Sequence, residues 1–215
     1  MGKLYLVRHG ETIWNRQQRM QGCSNDIELS DSGRVQAEAL AERLKDINID
    51  RIFSSSLSRA NQTAKMIAKQ HNIEVEICSE FKEINFGKWE GMYLTEIMEQ
   101  YPELLKVWKV TPHLAVVPEA ETIAELQKKS MTKLRQLLED NKDKDIMVVS
   151  HGISNKLMIL AMMNMQLSDL HRIRQDNTAL NIFDYNNGLF DIITLNDICH
   201  LNGIYDANKG SFEMK

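Results

Sequence analysis

Leu4-Tyr5-Leu6-Val7-Arg8-His9-Gly10-Glu11-Thr12, followed by Trp14-Asn15, decides how the rest of the chain is read. Four apolar, β-prone residues give way at once to a cation, an imidazole and a glycine, the pattern of a buried strand that ends in a reactive loop. In an open α/β sheet ligands sit outside the carboxyl ends of the strands, so Arg8 and His9 are expected to face a site. The chemistry they suit is an imidazole nucleophile beside a guanidinium that grips phosphate through two hydrogen bonds. On this stretch alone a partly satisfied loop histidine explains His9 equally well. Gly10 is expected to let the backbone turn sharply or approach a ligand closely.

The same layout recurs late in the chain. Ile146-Met147-Val148-Val149 is short and bounded, as a central strand buried on both faces should be, and it runs into Ser150-His151-Gly152 and an apolar helix from Ile153 to Met165. A second imidazole therefore arrives at the same end of the sheet. Between the two, a strand over Asp50 to Ser55 leads through polar residues into a helix with Ala60, Ala64, Ile67 and Ala68 on one buried stripe. Arg59 then falls in the first helical turn, where an anion would meet both its guanidinium and free backbone N–H groups. Taken alone, a solvated helix cation explains Arg59 better.

The remaining segments complete an alternating pattern. Leu29 to Gly33 supplies capping residues for a helix from about Asp31 to Asp46, with Leu40, Leu44 and Ile47 at helical spacing. Ile73 to Cys78 alternates Ile73, Val75 and Ile77 with acidic residues as a third strand. It enters Phe81 to Gly91, whose aromatics and glycines suggest a shaped loop. Glu83 sits there among Phe81, Ile84 and Phe86, and burial would raise its carboxyl pKa toward the range of a general acid, although a surface Glu is the commoner outcome. Met92 to about Pro118 holds all three prolines without a strand pattern and is expected to be a helical excursion capping the site. Glu121-Thr122 starts a long helix, with Ile123, Leu126, Leu134, Leu137 and Leu138 inward, ending near Asn141. Ala179 to Tyr185 and Leu189 to Leu195 flank Asn186-Asn187-Gly188 as a hairpin. His71, His113, His171 and His200 lack partner spacing and read as structural or solvated.

With 215 residues, 43% hydrophobic and 26% charged, the chain reads as an ordinary globular protein, and its formal charge of -4 leaves no electrostatic footprint for nucleic acid. Cys23, Cys78 and Cys199 are odd in number and widely spaced, so reduced thiols in a cytoplasmic setting are expected. With an apolar strand rather than a charged leader and apolar h-region at the start, no signal peptide is expected, and the apolar run Leu157 to Met163 is too short for a bilayer. No membrane partner is therefore expected. Nothing in the sequence specifies an oligomeric state.

Assembled in order, Leu6-Val7-Arg8-His9-Gly10-Glu11-Thr12, Ser55-Ser56-Leu57-Ser58-Arg59-Ala60, Glu83 in its aromatic-glycine loop and Val149-Ser150-His151-Gly152 resemble the histidine phosphatase superfamily, the phosphoglycerate-mutase-like fold, over almost the whole length. Gln21-Gly22 and the form of the Glu83 to Gly91 loop are similar to its small phosphatase branch, the broad-specificity and α-ribazole types. The resemblance implies a single domain over 1–215, folded as a three-layer α/β/α sandwich with a mostly parallel central sheet. It implies hydrolysis of a small phosphomonoester through a phosphohistidine, with His9, Glu83, Arg8, Arg59 and His151 catalytic. Substrate would be held by Arg8, Asn15, Gln21, Gly22, Arg59, Glu83, His151 and Gly152. No metal or organic cofactor is expected, because guanidiniums occupy the electrostatic role that magnesium has in kinases. The rivals are a cofactor-dependent phosphoglycerate mutase, an inactive phosphate-binding module, and a zinc site on His9 and His151, which show no metal-ligand spacing. Where the family commonly has Gly before the helix after the cap, this chain has Ala120, which puts substrate fit in doubt.

Overall fold

Leu4 and Leu6 point into one core and Tyr5 and Val7 into another in the computed structural model, which describes residues 2–203. That alternation follows from the pleat: successive side chains of a strand leave opposite faces, and here helices cover both. The strand is β1 (Gly2–Arg8). It lies inside a six-stranded sheet with β2 (Arg51–Ser54), β3 (Val75–Ile77), β4 (Ile146–Ser150), β5 (Leu180–Asn186) and β6 (Leu189–Asp197), ordered β3-β2-β4-β1-β5-β6. β3, β2, β4 and β1 run parallel, and the hairpin β5-β6 continues the sheet antiparallel to β1. The hairpin turn takes Asn187 at φ 49° and Gly188 at φ 86°, the two left-handed positions that a tight two-residue turn requires.

A single turn, α1 (Ile13–Arg16), follows the first loop, with Thr12 and Asn15 closing a reciprocal capping box. α2 (Asp31–Leu44), capped by Ser30, and α3 (Ser58–His71) cover one face of the sheet through Leu40, Leu44, Ala60, Ala64 and Ile67. α6 (Ile123–Asp140), capped by Thr122 and Glu125, and α7 (Gly152–Met162) cover the other. The excursion forms α4 (Leu94–Gln100) and α5 (Pro102–Val110). Its Ile97, Leu105 and Trp108 join Ile84, Phe86 and Trp89 in a third cluster packed onto Leu126, Leu157 and Leu160. The cap is thus fixed to α6 and α7, the helices before and after β4 in the chain.

Three elements are shorter than the sequence pattern suggests. β3 covers only Val75–Ile77, with Ile77 50% exposed, because the Ile73 N–H closes the end of α3 on the Ala68 carbonyl at 3.2 Å and β3 is an edge with one neighbour. α7 stops at Met162 rather than Met165, where Asn164 turns left-handed at φ 53°. α2 ends at Leu44, and Ile47 is left 40% exposed.

Candidate active site

The pairing of β1 with β4 sets Arg8 opposite Ser150, so the next residue of each strand, His9 and His151, emerges at one place at the carboxyl ends of the sheet. The His9 N–H donates to the Ser150 carbonyl at 3.0 Å. His9 Nδ1 lies 2.7 Å from the Gly10 carbonyl, which only accepts, so Nδ1 carries the ring proton and the lone pair sits on Nε2. The His9 carbonyl in turn accepts from Thr178 N at 3.2 Å and Asn177 Nδ2 at 3.1 Å. Burial, then the charges of Arg59 and Arg8, hold the His9 pKa well below the ordinary histidine value. His151 is lowered likewise, by burial first, then by Arg59. Its Nε2 meets Ser55 Oγ at 2.8 Å, and its Nδ1 is buried without a partner among the described residues.

Arg59 is fully buried in the first turn of α3. Nη2 donates to the Gly22 carbonyl at 2.8 Å, while Nε and Nη1 are buried without partners among the described residues. Burial pushes its pKa down to about 10 against the opposing charge of Glu83. Buried guanidinium donors left unmet are costly, and an anion on the floor of the site would meet them. Arg8 donates to the Gln175 carbonyl. A Cβ at Gly152 would lie 3.5 Å from the Arg8 guanidinium carbon, an ordinary contact, so Arg8 passes against the first residue of α7 without requiring a glycine there.

Glu83 follows a 3-10 turn and is 8% exposed. Its Oε1 accepts from Ile84 N at 3.0 Å and from Ser154 N and Oγ at 3.1 Å each, and its Oε2 accepts from Ile153 N at 3.1 Å. The start of α7 therefore orients the carboxyl that the acid loop delivers. Oε2, with one donor, is the oxygen with room for a proton.

Arg8, His9, Asn15, Gln21, Gly22, Arg59, Glu83 and Gly152 all line one open cavity, and the His151 ring lies 5.1 Å from that of His9. Asn15 Oδ1 is committed to the Thr12 cap, which leaves its amide N–H groups for the cavity. Gly22 takes φ 58° beside the Glu90 side chain, whose carboxylate ties Cys23 N, Ser24 N and Phe86 N together. Gly10 serves a purpose other than the expected one: a Cβ there would come 2.5 Å from the Gly33 carbonyl of α2, so it admits a neighbouring backbone rather than a ligand. At Ala120 the left-handed position belongs to Glu119 at φ 64°, so the side chain brings no strain to the cap junction. Among the described residues no group of three or more His, Cys, Asp or Glu gathers as a metal site, and no helix is long and apolar enough to cross a membrane.

The sequence reading missed Ser55 and Ser154, the hydroxyl partners of His151 and Glu83, and Thr63, whose Oγ1 accepts the Gly10 N–H at 3.1 Å. It also missed Arg19, Trp108 and Lys156 on the cavity wall. Lys156 had a visible signal, a cation four residues after Gly152 in an apolar helix.

Residues 4–198 match the family described as the histidine phosphatase superfamily (branch 1). Phosphoserine phosphatase 1 of Hydrogenobacter thermophilus is 34% identical over 97% of this chain and 99% of its own length. A probable phosphoglycerate mutase (GpmB) of Shigella boydii is 30% identical over 94% of this chain and 96% of its own. The crystal structure of a phosphoserine phosphatase mutant from Entamoeba histolytica, in complex with phosphoserine, superposes with a TM-score of 0.84 at 35% identity, covering 94% of this chain and 100% of that one.

Proposed function

Because the chain belongs to the histidine phosphatase superfamily, we propose that it is a phosphomonoester hydrolase that acts through a phosphohistidine on a small phosphorylated metabolite. The observation that carries this reading is the set of buried, unmet Arg59 donors beside a His9 whose tautomer leaves Nε2 free. The phosphoserine phosphatase relatives support the substrate class, since the Entamoeba histolytica structure is a complex with phosphoserine, a small phosphate ester.

In the proposed reaction His9 Nε2 attacks phosphorus in line, and the bond from phosphorus to the ester oxygen breaks as Glu83 gives that oxygen a proton. Water then attacks the phosphohistidine, Glu83 takes its proton, and the nitrogen–phosphorus electron pair returns to Nε2 as phosphate leaves. Arg8, Arg59 and the Nδ1 side of His151 offset charge on the equatorial oxygens, with Asn15, Gln21 and the Gly22 and Gly152 backbone completing the floor. The lowered pKa of His9 keeps it a nucleophile at neutral pH.

His9→Ala is the test. Turnover should vanish, and wild-type protein mixed with labelled substrate should carry an acid-labile, base-stable phosphoryl group on His9. A variant keeping more than a few per cent of the wild-type rate would end the phosphohistidine reading. The GpmB-type relative motivates a second reading, a mutase; release of free phosphate unaffected by added bisphosphoglycerate separates the two.

A further inference from the structure

Glu90 does not line the cavity, and it is half-buried. Its Oε1 accepts from Cys23 N and Phe86 N at 3.0 Å each, and its Oε2 accepts from Ser24 N at 2.9 Å. One carboxylate therefore joins two segments remote in sequence, the loop that carries Gln21 and Gly22 and the loop that carries Glu83. Backbone N–H groups bonded to an ionised carboxylate are held by strong, charge-assisted bonds.

The Cys23 contact reaches the phosphate site, because the Cys23 N–H and the Gly22 carbonyl belong to one peptide unit. That unit is trans and planar, so its N–H and C=O point in opposite directions and fixing one fixes the other. Glu90 Oε1 holds the N–H at 3.0 Å, and the carbonyl accepts from Arg59 Nη2 at 2.8 Å. A carboxylate on the N–H also polarises the peptide and strengthens its carbonyl as an acceptor. Gly22 permits the approach: it takes φ 58°, and a Cβ there would stand 2.0 Å from Glu90 Oε1. Arg59 is fully buried, and its guanidinium is a rigid plane, so the point where Nη2 is held decides where its other donors aim.

We infer that Glu90 is a positioning residue for the phosphate site, aiming the Arg59 guanidinium through the Gly22–Cys23 peptide without touching the substrate. Its consequence for turnover rests on the phosphatase reading above. The rival route runs from Glu90 through Phe86 to the acid loop and Glu83, and the two differ in which second substitution silences Glu90.

The test is a pair of double-mutant cycles read by kcat/KM for p-nitrophenyl phosphate and by the affinity for inorganic phosphate. Glu90→Met, close in length and without an oxygen, should lower both by about tenfold or more, the range of a hydrogen bond to a charged group. Glu90→Gln, which can return an oxygen to Cys23 N and Phe86 N, should fall between Glu90→Met and wild type, and it carries the cycles if Glu90→Met does not fold. In an Arg59→Ala background the Glu90 substitution should cost less than about twofold, because the group it aims is gone, whereas in a Glu83→Gln background the full loss should persist. Equal losses in the wild-type and Arg59→Ala backgrounds, or no loss in any folded Glu90 variant, overturn the inference and leave the phosphatase reading standing. A loss that disappears with Glu83→Gln instead overturns it in favour of the acid loop. Wild type that binds phosphate and hydrolyses no ester overturns the phosphatase reading alone, since the phosphate affinities still decide the role of Glu90. Wild type that does neither overturns both.

Discussion

The ring centroids of His9 and His151 lie 5.1 Å apart, tilted 59° to one another, with the residues 3% and 0% exposed. Two imidazoles this close, walled by Arg8 and Arg59, hold neither proton readily, and both pKa values fall well below the ordinary 6.5. His200, half-buried against Thr178, is lowered to about 4, chiefly by loss of solvent. The unfolded chain therefore binds protons near pH 6.5 that the folded chain refuses. Stability from these three histidines is full above pH 6.5 and falls as pH drops from there, for His200 until about 4. Each contributes a slope of up to about 1.4 kcal/mol per pH unit. Urea melts at pH 7.5, 6.5 and 5.5 should show the loss, with no phosphate present. Equal midpoints at all three would mean that the site protonates freely.

Gly10 and Gly33 let the loop after β1 sit on the first turn of α2. A Cβ on Gly33 would stand 2.0 Å from the Glu11 carbonyl oxygen, a backbone atom that yields only if the loop moves. Gly33→Ala should destabilise the fold by ~1–3 kcal/mol, as overpacking does. Because the displaced backbone adjoins His9, kcat should also fall by more than tenfold, since small misplacements of a reacting group are expensive. Crystals of a Gly33→Ala protein with an unshifted first loop would show that the approach has slack.

How far the sequence disclosed this arrangement depended on whether the signal was local. β1 and β4 were visible because a strand covered on both faces is apolar throughout, and the Asn187-Gly188 turn because only a few residue types take its dihedrals easily. The four segments carrying His9, Arg59, Glu83 and His151 were legible through their order and their resemblance to the family, because singly Arg59 reads as a solvated helix cation and Glu83 as a surface carboxylate. The hydroxyls were not: Ser55 and Ser154 gain meaning only when β2, the acid loop and α7 meet. The purpose of Gly10 was hidden too, because its partner Gly33 is on another element. Ile73 to Cys78 read as a longer strand because alternation does not reveal that the Ile73 N–H has already been used by α3.

Arg59 tests the electrostatic floor. Nη2 gives one N–H to the Gly22 carbonyl, and its second N–H forms the fork available to a phosphate with one of the unmet donors, Nε or Nη1. Arg59→Ala should lower kcat/KM by a hundredfold or more, in line with removing one preorganised donor of about 3 kcal/mol. Arg59→Lys keeps the charge without the planar fork and should recover only part. Full activity in the lysine variant would show that the two-point contact is not made.

Glu83 separates proton donation from positioning through leaving-group chemistry. An alkyl ester expels a basic alkoxide that needs a proton, whereas p-nitrophenyl phosphate expels a phenolate stable enough to leave without one. Glu83→Gln keeps an acceptor at Oε1 for the Ile84 and Ser154 donors and removes the acid at Oε2. Formation of the phosphohistidine should then slow by about a hundredfold or more with alkyl substrates, within the usual span of general acid catalysis, and much less with the aryl ester. Steady-state rates mix this step with hydrolysis, in which Glu83 is the proposed base, so the contrast must be read from a single-turnover burst. Equal slowing of the burst for both esters would make Glu83 a positioning group. Ser154→Ala sharpens the reading. It removes one of the three donors on Oε1 and leaves the carboxyl in place, so the alkyl and aryl bursts should slow together and by less than tenfold.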